Sequence, residues 1–253
     1  MSETFTLMTY NVHSCVGTDR KCSPSRIAEV IAHHNPDIVA LQELDIGLQR
    51  TGLIDQAGVI SEYLKMDYHF HPSLDIERGQ YGNAILSGHP MRLVRTGEMP
   101  TLPKRPELEK RGALWVEVAV RGHRVHVINT HLGLNRRERL AQVEKLLGAE
   151  WLGHGERLSP MILCGDLNAP PISPVYRRLR AAGLLDVQRR IPGHRAERTW
   201  PSALPFLRLD YVFVTADIAV RSCLVPRTPL TRIASDHLPL TVGLSVRTSG
   251  GHR

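Results

Sequence analysis

Asp166 and Asn168 stand two residues apart, just past the apolar run Met161-Ile162-Leu163-Cys164 and its closing Gly165, and before a Pro170-Pro171 stop. In extended backbone, side chains two apart face the same way, so this carboxylate and this amide can converge on one point. A carboxylate can hold a cation or take a proton, and an amide can hold a phosphate oxygen or a water. Polar residues recur at the ends of other strand-like apolar runs: Asn11, Glu43, His131, Asp210, and Asp236 with His237. If those ends share one edge of the fold, they form a pocket of carboxylates, amides and histidines. Acids so clustered raise one another's pKa unless a cation neutralises them. Oxygen donors with few histidines and no thiolates favour Mg²⁺ or Mn²⁺ over Zn²⁺. A hard cation beside a histidine paired with a carboxylate is a set of parts for attacking a phosphate ester with water.

The elements that must position these residues alternate between strand and helix. Phe5 to Tyr10 reads as a first strand, delivering Asn11 and His13. Ser23-Pro24 supplies an N-cap and a first-turn proline for a helix that Asn35-Pro36 ends. Asp37 to Leu41 is a buried strand running into Gln42-Glu43, and Ile54 to Leu64 a short helix. Tyr68 to His71 reads as a strand whose two histidines face solvent, and Tyr81 to Ser87 as another. Residues 95–112 read as a charged loop holding Lys104, Arg105, Lys110 and Arg111; such a run is ordinarily a solvated face, but loops also carry substrate contacts, and Arg111 is the candidate here. Ala113 to Val120 and Arg124 to Thr130 alternate around Arg121-Gly122-His123, a hairpin signal. Asn135 caps the next helix, with an apolar stripe at Leu140, Val143, Leu147 and Trp151 and an unfavourable crowd of Arg136, Arg137 and Arg139 at its start. Ser173-Pro174 begins another helix that Gly183 ends, Leu207 to Val214 is a strand carrying Asp210, and the last strand runs through Leu244. Residues 1–247 read as a single domain and 248–253 as a polar tail expected to be disordered.

Bulk properties narrow the setting. A chain of 253 residues, 42% hydrophobic and 23% charged, suits a globular protein with a sizeable core. Its formal charge of +7 suits an anionic partner, although many basic proteins bind nothing acidic. Four scattered cysteines without C-x-x-C spacing read as reduced, mostly structural thiols, which points to the cytoplasm. No apolar run approaches the ~18 residues needed to span a bilayer, and the N-terminus lacks an apolar leader. No protein partner is indicated.

Thr9-Tyr10-Asn11-Val12, Leu41-Gln42-Glu43, Asn129-Thr130-His131-Leu132, Gly165-Asp166-Leu167-Asn168, Leu209-Asp210-Tyr211 and Ser235-Asp236-His237-Leu238-Pro239 resemble, in order, the motifs of the endonuclease/exonuclease/phosphatase superfamily, which includes DNase I, apurinic endonucleases, bacterial sphingomyelinases and inositol-polyphosphate phosphatases. Each motif alone is weak; six in family order, each at a strand end, are specific. The resemblance implies an α/β fold, a four-layer sandwich of two mixed β-sheets flanked by helices. By position it makes Glu43 the principal metal ligand, with Asn11 and Asp236 near the same Mg²⁺ or Mn²⁺. It gives Asp166 the attacking water, Asn168 the phosphate, and His237 with Asp210 the catalytic pair. His131 falls at a phosphate-contacting position that some relatives use as a general acid. His13 stands where apurinic-type nucleases carry an aspartate, which weakens the case for a second acidic metal site.

The implied activity is metal-dependent phosphodiester hydrolysis, with nucleic acid or a lipid headgroup as candidate substrate. The alternatives are a sphingomyelin-type or other phospholipid diesterase, a small-molecule or inositol phosphatase, and a catalytically silent binding module. The basic candidates for gripping a duplex (104–111, Arg136 to Arg139, Arg189, Arg190 and Arg195) are not interleaved with aromatics, and aromatics are 5% of the chain. Ala203-Leu204-Pro205-Phe206-Leu207 is the nearest thing to an apolar membrane loop, and reads instead as core packing.

Overall fold

A computed structural model describes residues 4–76, 78–102, 105, 108–153 and 160–247; the 248–253 tail lies outside them. Among the described residues, twelve strands form two mixed sheets. The first comprises β1 (Phe5–Asn11), β2 (Ile38–Ile46), β3 (Asp67–Ile76), β4 (Gly79–Ser87), β11 (Ile218–Leu224) and β12 (Leu240–Val246), in the order β11-β12-β1-β2-β4-β3. The second comprises β5 (Met91–Glu98), β6 (Gly112–Val120), β7 (His123–His131), β8 (Met161–Asp166), β9 (Leu185–Asp186) and β10 (Asp210–Val214), in the order β5-β6-β7-β8-β10-β9. Near the middle of each sheet lies one parallel pair, β1 with β2 and β7 with β8; the other pairings are antiparallel.

Strand parity explains the layering, because side chains two apart share a face. Phe5 and Leu7 of β1 join Val125 and Val127 of β7, Ile162 and Cys164 of β8, and Val212 and Val214 of β10 in a core between the sheets. The opposite parity, Met8 and Tyr10 of β1, packs under the helices α1 (Pro24–Ala32), α2 (Gln56–Leu64) and α5 (Pro229–Ala234). On the second sheet, Leu163 and Phe213 pack under α3 (Arg136–Leu147) and α4 (Pro174–Ala181). Helix, sheet, sheet and helix make the four layers that the motifs imply. Ser23, Asp55, Asn135, Ser173 and Thr228 each accept a backbone N–H at a helix start.

Some expectations need correcting. The supposed loop 95–112 begins as strand, since β5 runs to Glu98, and Arg111 is 5% exposed rather than solvated. Lys104 lies outside the described residues. His69 and His71 are half-buried rather than solvent-facing, because β3 packs against β6; a Cβ on Gly112 would stand 2.8 Å from the His71 ring. All four cysteines are unpaired, with Cys15 and Cys164 buried.

Candidate functional site

The site is the polar end of the core between the sheets. Asn11 continues the inward column of Phe5 and Leu7; Asn129 and His131 continue Val125 and Val127; Asp166 continues Ile162 and Cys164; Asp210 continues Val212 and Val214. Register makes these ends level, with His131 and Asp210 both opposite Asp166. On β2, Gln42 holds the inward phase, and the pairing with β4 then slips between Leu41 and Leu44. Glu43 sits in that bulge at φ 61°, and the irregularity re-aims it into the cluster rather than across the sheet. Asn168, at φ 48°, is likewise in a region that non-glycine residues seldom occupy, which costs backbone energy and is typical of functional sites. Gly165 is required by contact as well as conformation: at φ 131°, a Cβ would stand 1.9 Å from the Thr130 carbonyl oxygen.

Two buried side chains clamp the sheets beneath this cluster. Gln42 Nε2 donates to Asn129 Oδ1 at 2.7 Å, and Asn129 Nδ2 donates to the carbonyls of Leu41 and Ala84 at 2.8 and 2.9 Å. The two parallel pairs thereby meet at their carboxyl ends, where strand ends of α/β sheets ordinarily present binding groups.

His237 Nδ1 lies 2.9 Å from Asp210 Oδ2, and its Nε2 lies 3.6 Å from Asp166 Oδ2. The ring is held from behind, since His237 N donates to Ser235 Oγ, which itself donates to the Asn11 carbonyl. Asn11 Nδ2 bridges Glu43 Oε1 at 2.8 Å and Asp166 Oδ2 at 3.0 Å. On the open side, His13 Nδ1 lies 3.4 Å from Glu43 Oε2 and 3.8 Å from Asp236 Oδ1. Trp200 Nε1 donates to the other Asp236 oxygen at 3.1 Å.

His131 faces donors at both nitrogens. Arg111 Nη1 is 2.9 Å from Nδ1, and Asn168 Nδ2 is 2.9 Å from Nε2 while also donating to the Leu132 carbonyl. Burial, then the Arg111 charge, hold the His131 pKa well below its ordinary value, so the ring is neutral at neutral pH. A neutral imidazole has one lone pair, so it can accept from only one of these two donors. Glu109 Oε1, 2.7 Å from Arg111 Nη1, is a further acceptor here, while Arg111 Nε is buried without a partner among the described residues.

The charges facing it are graded. Burial opposes the charged form of His237, but Asp210 and Asp166 outweigh it and push the pKa up to about 10. Burial raises Asp166 to about 7 against the pull of His237. Glu43 is held below the usual carboxylate range: His13, His131 and Asn11 together overcome the cost of its burial. A buried acid near neutrality beside a cationic histidine is the pairing expected of proton-transfer chemistry.

Seven of the expected site residues, Asn11, Glu43, His131, Asp166, Asn168, Asp210 and His237, are linked directly, and Asp236 joins them through His13. Arg111, the expected substrate contact, joins through His131. Sequence reasoning assigned nothing to His13, Trp200, Ser235 or the Gln42–Asn129 clamp; the last lay within quoted motifs, and its inward parity was the available signal. The 203–207 segment is not core packing: Leu204 and Phe206 are 78% and 55% exposed, because Trp200 pairs back onto Leu207 and leaves the loop tip outside.

The donor set suits a hard cation. Glu43 Oε2 and Asp236 Oδ1 both lie within 4 Å of one imidazole nitrogen, a spot where two carboxylates favour positive charge. Asp166, Asp210 and His237 also bring ligand-type atoms within 4.8 Å of one another. That deeper trio is the poorer seat, since His237 Nδ1 is already engaged by Asp210. On the Glu43 side a cleft of about 370 Å³ opens, lined in part by His13, Arg50, Leu74, Tyr81 and Glu109.

With this geometry in view, the chain belongs to the endonuclease/exonuclease/phosphatase family, whose sequence model it matches over residues 8–237. It is 27% identical over 248 residues to the Escherichia coli (strain K12) protein YbhP, covering 94% of each chain. Among solved structures it is similar to the family protein of Beutenbergia cavernae (TM-score 0.75, 24% identity, 98% of this chain and 73% of that one). It is similar also to the mannosyl-6-phosphatase Bt3783 of Bacteroides thetaiotaomicron (TM-score 0.75, 20% identity, 95% and 99%). Members of this family are generally hydrolases of phosphate esters, and they usually use divalent metals. No helix among the described residues is long and apolar enough to cross a membrane.

Proposed function

We propose that the chain is a divalent-metal-dependent phosphodiesterase, with water as the attacking group. The gathering of Arg111 and Asn168 N–H donors at the two nitrogens of His131, set opposite the Asp166–His237–Asp210 row, carries this reading. Phosphate oxygens entering that corner would accept from Asn168 and His131 and meet the positive charge of Arg111, which Glu109 holds in place. Asp166, poised near neutrality, orients the water and draws off its proton. His237, oriented by Asp210 and kept cationic, stabilises charge as the phosphorus centre becomes more anionic. Glu43 and Asp236, with Asn11 and His13 beside them, hold the cation, Mg²⁺ or Mn²⁺ by their oxygen-rich character. When bound, that ion supplies Lewis-acid stabilisation to the phosphate.

The open cleft beside Glu43 favours a diester, because it leaves room for a second ester arm. Turnover of bis(p-nitrophenyl) phosphate, p-nitrophenyl phosphate, plasmid DNA and a phospholipid, each with Mg²⁺, Mn²⁺ or chelator, tests this. Diester cleavage that a chelator abolishes is expected. Exclusive cleavage of the monoester would replace the diesterase with a phosphatase, and no turnover of any ester would defeat the enzymatic reading.

A further inference from the structure

Three loops leave the site edge of the second sheet in sheet order: 132–135 after β7, 167–173 after β8 and 199–209 before β10. Each lifts large apolar side chains into solvent. Ile172 is 81% exposed, Leu204 78% and Leu134 72%, the three most exposed large apolar residues among the described ones, and Phe206 is 55% exposed. Chance would scatter them over the surface; instead all four lie on loops at one edge of the second sheet. Their loops are braced. Arg139 Nη1 donates to the carbonyls of Gly133 and Leu134, Tyr211 Oη donates to Ala169 O, and Phe206 N and Leu207 N donate to Trp200 O.

Cationic groups accompany the apolar tips. Arg136 and Arg137 are exposed directly after Leu134. Pro205, between Leu204 and Phe206, lines an open depression of about 460 Å³ with His194, Arg195, Arg198, Arg227 and one carboxylate, Glu197. Protruding single tips are poorly suited to a rigid protein surface, which needs continuous complementary area. Nucleic acid would answer the arginines but leave the aliphatic tips in water. A fluid bilayer can accept isolated apolar side chains while its phosphates meet the guanidinium groups.

We propose that this edge seats on an anionic phospholipid surface, with Leu134, Ile172, Leu204 and Phe206 entering the headgroup–acyl boundary and the neighbouring arginines among the phosphates. The docking stands apart from the hydrolytic reading. Its consequence, that the phosphate ester delivered to Asn168 and His131 is borne by a lipid, rests on that reading.

Vesicle flotation with the full chain tests it, comparing phosphatidylcholine alone with phosphatidylcholine plus phosphatidylglycerol, at low and high salt. At least about tenfold stronger partition to the anionic vesicles is expected, weakened by salt. Ile172→Asp with Leu204→Asp should cut that partition by about tenfold or more, leaving cleavage of the soluble bis(p-nitrophenyl) phosphate unchanged. Equal partition to both vesicle types, or full retention by the double variant, would overturn the proposal. So would a dimer in size-exclusion chromatography that the double variant disperses, since the face would then belong to a second copy. Docking without hydrolysis of either ester would leave the surface standing and defeat the phosphoesterase reading; soluble hydrolysis without docking would do the reverse.

Discussion

His237 owes its charge to the two carboxylates it faces, and this gives the site a testable pH signature. Asp166, raised to about 7, is protonated below that pH and cannot take a proton from water. His237, raised to about 10, loses its charge above it. The kcat/KM profile should therefore rise through about pH 7 and fall near pH 10. In Asp210→Asn, one of the carboxylates that hold the His237 pKa up is gone, so the alkaline limb should move down toward the ordinary histidine range. Loss of the pair's orientation should also lower the plateau by about 10²–10⁴-fold. An alkaline limb that does not move in this variant would dissociate His237 from the reaction. At this scale the sequence named residues that the fold gathers in one place, because acids, amides and histidines at strand ends are visible as residue types. It offered Arg111 as a substrate contact but not its burial or its partner His131, because its charged neighbours suggest solvent and His131 lies on another strand.

Elements position these groups through parity and one irregularity. The Gln42–Asn129 clamp carries three buried polar contacts across the gap between the sheets, and Gln42 is anchored to Thr9 Oγ1 within its own sheet. Asn129→Ala would remove the nearest acceptor of Gln42 Nε2 and leave the Leu41 and Ala84 carbonyls without this donor. Unfolding free energy should fall by about 3 kcal/mol on chemical denaturation, since buried polar groups left unpaired cost about 1–3 kcal/mol each. A loss below about 0.5 kcal/mol, the size of an ordinary surface change, would mean the sheets are aligned by their apolar core alone. Strands buried on both faces were legible as continuous apolar runs. Half-exposed β5, with Arg92 and Arg95, was not, nor were two-residue β9 and six-residue α5, which are too short to express a period. The bulge at Glu43 is set by pairing with β4, so no local pattern announces it.

On the scale of the whole molecule, two stacked sheets bring the carboxyl ends of their parallel pairs to one edge, and the union makes a site neither sheet holds alone: Asn11 and Glu43 from the first, His131, Asp166 and Asp210 from the second. The order of motifs along the chain was enough to foresee this architecture. The exposed apolar loop tips at the site edge were not foreseeable, because an exposed Leu204 and a buried one look alike in sequence. The central claim is that this junction hydrolyses phosphate esters, and the most direct test is the rate of bis(p-nitrophenyl) phosphate hydrolysis in excess Mg²⁺ by the wild type and by Asp166→Asn. Turnover by the wild type, reduced by at least about 10²-fold in the variant while its thermal unfolding stays cooperative, is the expected result. Equal rates in the two proteins would contradict the assignment of the chemistry to this site.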